Sequence, residues 1–126
     1  MDDSLEYFEL KYTAARARAG RRLEEAALGQ SVGLNGYTTV AQAQTLSDHL
    51  QLNPTATLLD VGSGQGWPGS QIVGTKGCRL VFIDVSFDVL LTTKMKNDSV
   101  VVNARGEDLP FHAESFDAIV HADVFC

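Results

Sequence analysis

Apolar residues recur along the first part of the chain at spacings of three and four. Leu5, Phe8, Tyr12, Ala15, Ala19, Leu23 and Ala26 form one stripe, and this spacing predicts a helix over 4–28. Asp3 with Glu6 reads as a capping box at its start, while Gly20 weakens its middle. The run GLNG at 33–36 then breaks the chain. Val40, Ala43, Leu46 and Leu50 restore the helical spacing over about 39–51, with Thr39 and Gln42 as a capping box and Asn53-Pro54 as the stop. After Pro54 the rhythm changes to short apolar runs. Residues 57–61, 79–84 (RLVFID), 99–103 (SVVVN) and 116–121 (FDAIVH) predict four strands. Residues 67–76, and the stretch from Ser86 to about Lys96, predict helices between them. Apolar strands alternating with helices or long crossovers imply a parallel sheet covered on both faces. The expected class is α/β, a doubly wound parallel sheet preceded by two N-terminal helices. The natural division falls near 53, giving a helical segment over 1–53 and a sheet domain over 54–126.

The stretch LLDVGSGQGWPGSQIV, 58–73, carries the candidate chemistry. Gly62, Gly64 and Gly66 follow the first predicted strand, where a sheet of this class binds its ligands. Gly64, Gly66 and Gly69 also spell G-x-G-x-x-G, the fingerprint of dinucleotide binders. Two residues argue against a dinucleotide. Asp60, at the strand end, opposes a pyrophosphate, and Pro68 lacks an amide where the phosphates would need one. A cofactor with an ammonium and a sulfonium and no phosphate suits Asp60 instead. Asp84 ends the second strand eighteen residues after Gly66, where a carboxylate can accept from both hydroxyls of a ribose. That fits either cofactor class, and a plain strand-end cap is the structural reading beside it.

Composition narrows the field. The chain has 126 residues, 44% hydrophobic and 21% charged, which suits a single soluble domain. Its net charge of −6 argues against nonspecific nucleic-acid binding. No apolar run is long enough for a membrane span, and the acidic start MDDSLEYFEL does not resemble a secretory signal. Cys78 and Cys126 fit reduced thiols and a cytoplasmic location. The Asp, His and Cys positions do not form a metal-site spacing, so no metal is expected. Lys11, Arg16, Arg18, Arg21 and Arg22 crowd into twelve positions and hold five of the ten basic residues. A solvated helix face explains them most simply; an anionic partner is the other reading.

DVGSGQG (60–66), Asp84 and GEDLPFHAESFDAIV (106–120), in this order and spacing, resemble the class I S-adenosylmethionine-dependent methyltransferases. The likeness covers about 37–126 and is nearest to the small-molecule group that includes the ubiquinone and menaquinone biosynthesis methyltransferases. It implies a Rossmann-like domain and S-adenosyl-L-methionine as cofactor. It also implies methyl transfer to a small-molecule acceptor by in-line displacement, with 1–53 on the acceptor side. By the same resemblance, Asp60, Gly62, Ser63, Gly64 and Gly66 hold the methionine part. Asp84 would bind the ribose and Val85 an adenine face, while Glu107 or Asp108 would read the adenine edge. Arg105 stands where the family often has an acid. His121 and Ala122 would lie beside the methionine amino group, and Tyr37 or Thr38 near its carboxylate. His121 and Asp123 are the candidates for a catalytic base, although a lone His at a strand end is more often structural.

The chain ends just past the fourth strand, where such folds continue. The expectation is a sheet incomplete at the C-terminus, with the fourth strand as an exposed apolar edge suited to dimerisation. Two rivals remain: an NAD-dependent oxidoreductase fragment built on Gly64–Gly69, and a noncatalytic cofactor-binding domain.

Overall fold

The computed structural model describes residues 3–33, 36–96, 99–122 and 124. Four parallel strands form one sheet: β1 (Thr57–Val61), β2 (Arg79–Asp84), β3 (Val100–Asn103) and β4 (Ala118–His121). Their order is β3-β2-β1-β4. The order therefore reverses between β1 and β4, and the crevice outside their carboxyl ends is the topological switch point. β1 pairs with β2 from Thr57↔Arg79 to Val61↔Ile83, and with β4 from Leu58↔Ala118 to Val61↔His121.

Strand alternation sorts side chains onto two faces. Leu58, Leu80, Phe82 and Val120 share one face with Ile72, Cys78 and Leu90. Helices α4 (Gly69–Lys76) and α5 (Phe87–Lys96) cover that face. Helix α3 (Val40–His49) packs in turn on α4, with Ser47 Oγ 2.5 Å from Thr75 Oγ1. The opposite face carries Leu59, Val61 and Ile83, packed against Phe111 and Phe116 of the β3–β4 connection. The two rings meet edge-to-face with centroids 4.9 Å apart. The expected double cover is thus helical on one side and, among the described residues, a loop on the other. β4 lies at an edge of the sheet, and its Ile119 is 56% exposed.

The N-terminal stripe does not form one helix. It splits into α1 (Asp3–Arg16) and α2 (Arg18–Leu28), so three helices precede the sheet rather than two. Ala17 takes an extended conformation at φ −61° and ψ 153°. Gly20 permits the turn, because a Cβ there would lie 2.7 Å from the Ala14 carbonyl oxygen. The Arg21 guanidinium donates to the Arg16 carbonyl across the break. Past the break the stripe is not buried: α2 contains no buried residue, and Leu23 is 73% exposed. The Asp3 side chain lies outside the described residues, whereas the Thr39–Gln42 capping box is present. Helix α4 begins two residues later than its pattern suggests, after Pro68, and β4 begins at Ala118 because Phe116 turns to pack on Phe111.

Candidate functional site

The loop from Gly62 to Pro68 leaves β1 at the switch point and folds back on the sheet. The Ser63 amide donates to the Ile83 carbonyl at 2.9 Å, and the Gly66 amide to the Ser63 carbonyl at 2.8 Å. Gly62, Gly64 and Gly66 adopt φ of +65°, +50° and +95°, the left-handed region where a side chain is strained. Gly66 also sits tightly, since a Cβ there would come within 3.2 Å of Phe82 and Thr93. From α5, the Thr93 hydroxyl donates to the Gly64 carbonyl at 3.0 Å, a contact that the sequence pattern does not announce.

Two buried carboxylates flank this loop. Asp60 faces α4, and its Oδ2 accepts from the Gly69 amide at 3.1 Å. A Cβ on Gly69 would lie 2.5 Å from that oxygen, so the third glycine of G-x-G-x-x-G serves the approach of Asp60. The N-terminus of α4 is thus already turned toward a carboxyl of the protein itself, where a dinucleotide would place its pyrophosphate. Asp60 Oδ1 and Ser63 Oγ are buried and find no partner among the described residues. Burial pushes the Asp60 carboxyl well above the usual range; the Gly69 amide counters this and the nearby Asp84 adds to it. A solvent-excluded carboxyl with one unpartnered oxygen beside a glycine loop disfavours phosphate and suits a cation, whose charge would offset the burial that favours its neutral form.

Asp84, at the end of β2, accepts on both of its oxygens. Its Oδ2 accepts from the Gly64 amide at 2.8 Å and from the Tyr12 hydroxyl at 3.0 Å, and its Oδ1 accepts from the Ser86 amide at 2.9 Å. Tyr12 is a partner that sequence reasoning missed. It lies 72 residues away, and its one signal is a tyrosine in the apolar stripe of α1. Burial first, and then the charge and hydrogen bond of Asp84, push its phenol above the ordinary value. Asn103, at the end of β3, donates through Nδ2 to the carbonyls of Asp84 and Val85 at 2.9 and 3.0 Å, fixing the backbone beside half-buried Val85.

The other sequence candidates are more dispersed. His121 is an exposed residue opposite Val61 at the end of β4, and Ala122 beside it is half-buried. Val124 packs against Gly62, where a Cβ would collide with it, so the chain after β4 borders the loop. Asp123 and Cys126 lie outside the described residues. Glu107 and Asp108 are exposed; Glu107 pairs with Arg105 at 3.7 Å, and the Asp108 amide donates to the Arg105 carbonyl. Tyr37 is 88% exposed. Its neighbour Thr38 is tied to the glycine loop, since its carbonyl accepts from Trp67 Nε1 at 2.8 Å. Among the described residues, no three His, Cys, Asp or Glu side chains are grouped to hold a metal ion.

Comparison with known proteins adds to this geometry. The methyltransferase domain family model matches residues 59–126, more than half of the chain. No curated protein sequence matches it. Among solved structures, the chain is similar to geranyl diphosphate C-methyltransferase from Streptomyces coelicolor A3(2), crystallised with Mg2+, geranyl diphosphate and S-adenosyl-L-homocysteine. That match has a TM-score of 0.64 and 21% identity over 84% of this chain and 41% of that one. It also resembles a geranyl diphosphate methyltransferase in complex with GPP and sinefungin, with a TM-score of 0.63 and 23% identity over 77% of this chain and 38% of that one. A third is the cyclopropane synthase MmaA2 from Mycobacterium tuberculosis, with a TM-score of 0.60 and 24% identity over 68% of this chain and 32% of that one. The chain spans less than half the length of each of these structures. The parallel sheet, the glycine loop at its switch point and the family match over 59–126 agree: the chain belongs to the methyltransferase domain family.

Proposed function

We propose that the glycine loop and its two carboxylates form the binding site for S-adenosyl-L-methionine, and that the protein transfers the methyl group to a small-molecule acceptor. The observation that carries this reading is the Asp60–Gly69 contact. It places a carboxyl against the helix N-terminus beneath a loop that otherwise looks fit for phosphate. When bound, S-adenosylmethionine supplies a methyl group on a sulfonium, a carbon already activated for in-line displacement. Asp60 and the carbonyls around Gly62 and Gly64 suit the methionine ammonium. Asp84 suits the ribose hydroxyls, and Val85 suits an adenine face. Ser63 Oγ offers a further polar contact from the loop. The adenine edge falls to Glu107, Asp108 or the backbone near them, and Tyr37 with Thr38 stands on the methionine-carboxylate side.

The chain's chief task in this reaction is placement. A general base is required only for an acceptor that must lose a proton, and His121 and Asp123 are the candidates that the sequence offers for it. The basic run from Lys11 to Arg22 leaves an anionic acceptor open, whereas the net charge of −6 favours a small molecule over nucleic acid. The buried thiol of Cys78 is in keeping with a cytoplasmic protein. The exposed edge of β4 suits pairing with a second copy, which light scattering on the purified chain tests.

Parallel calorimetric titrations with S-adenosylhomocysteine and NADH test the cofactor assignment. One-to-one binding of the first alone is expected. Binding of NADH in preference would replace this reading with the oxidoreductase one.

A further inference from the structure

A carboxylate offers about four lone-pair positions, two on each oxygen. At Asp84 the Gly64 amide and the Tyr12 hydroxyl take both positions on Oδ2, and the Ser86 amide takes one on Oδ1. One position remains, and Asp84 is 3% exposed beneath its partners. A vicinal diol that donates both its hydroxyls needs two positions and an open path to them. We propose that Tyr12 is a built-in competitor for the cofactor ribose, and that the cofactor enters by displacing α1 from the end of β2. This inference rests on the reading of the site as an S-adenosylmethionine site.

The three donors to Asp84 differ in what their departure would require. The Gly64 amide belongs to a loop fixed by Thr93 and by the Ser63–Ile83 contact. The Ser86 amide belongs to the turn that starts α5. Neither can leave without dismantling the sheet end. Tyr12 arrives on a separate helix. Alongside the hydroxyl bond, α1 is tied to α5 by Arg16, which donates to Thr92 Oγ1 at 2.9 Å and to the Asp88 carbonyl at 3.4 Å. Phe8 stacks on the Tyr12 ring at 6.4 Å and is itself exposed. Such a helix can lift as a unit while the sheet stays folded. The exchange balances in hydrogen bonds, because a ribose hydroxyl donates to Oδ2 where the phenol did. An ordinary tyrosine phenol keeps its proton at physiological pH, and burial beside Asp84 pushes its pKa further up, so Tyr12 stays a donor there.

The test combines calorimetric titration of S-adenosylhomocysteine with hydrogen exchange over residues 5–16, on the full chain and on Tyr12→Phe. Removing one hydrogen bond to a charged acceptor from the closed state should tighten binding roughly tenfold. Ligand should also speed amide exchange across 5–16 in the unsubstituted chain. Arg16→Gln, which loosens α1 without touching Asp84, should tighten binding in the same direction by a smaller factor, and circular dichroism checks that both variants are folded. Binding that is unchanged or weakened in both variants, with exchange over 5–16 slowed by ligand, would overturn the inference and leave the cofactor site standing. No binding by any of the three folded proteins would overturn the cofactor reading and this inference with it.

Discussion

The glycine loop and the N-terminal arm of α1 and α2 hold the same oxygen of Asp84 by different means. The loop reaches it with a backbone amide at 2.8 Å, from a segment buried at every residue from Ser63 to Gly69. The arm reaches it with one phenol at 3.0 Å, from a helix whose other polar tie to the body, among those described, is Arg16. Beyond Ala17, no residue of α2 is fully buried. Two hydrogen bonds of similar length therefore differ in what supports them. Apolar burial supports one, whereas a few side-chain contacts support the other, and these make the arm the part that can open while the sheet remains folded.

Substitutions on the two sides sharpen that contrast. Phe82→Ala empties a fully buried position under the loop and should cost about 3–5 kcal/mol in urea unfolding. Gly66→Ala forces a Cβ into a φ of +95° against Phe82 and Thr93; a loss of about 1–3 kcal/mol is expected from the same measurement. Leu23→Ala, on the arm, should change stability by less than about 0.5 kcal/mol. A loss from Leu23→Ala comparable to that from Phe82→Ala would erase the distinction.

Asp60 adds a pH dependence to the body alone. Its folded-state pKa is raised, chiefly by burial, so the folded protein holds a proton that the unfolded chain releases. The stability this contributes is complete below the usual carboxylate range and is lost as pH rises toward the raised value. Asp60→Asn removes the titration. Urea midpoints measured between pH 4 and pH 8 should therefore fall more steeply with pH in the unsubstituted chain than in this variant, and parallel curves would contradict the assignment. A bound ammonium favours the ionised carboxyl, so ligand affinity should rise over the same window.

The contrast also explains what the sequence discloses. Strand runs, the Thr39–Gln42 cap and the glycine loop are local patterns, and each yields its element without help from distant residues. The α1–α2 break escapes such reading because Ala17 sits amid strong helix formers, and a close approach through Gly20 decides the turn. The pattern Gly64–Gly69 reads as a dinucleotide fingerprint because it shows spacing and conceals the reason for it. Gly69 is small so that Asp60 can reach its amide. Asp60, Asp84 and the loop glycines come together because strand ends align in a parallel sheet. Tyr12 joins them from a helix whose docking no local pattern records, and Thr93 and Asn103 act through backbone carbonyls that carry no sequence signature.

The most direct measurement is a map of backbone amide NMR shifts in the full chain on titration with S-adenosylhomocysteine. The account predicts that the largest changes fall at 60–66 and 84–86, with α1 residues around Tyr12 shifting in step. Changes centred on 69–72 at the start of α4, with 84–86 and α1 unmoved, would contradict it.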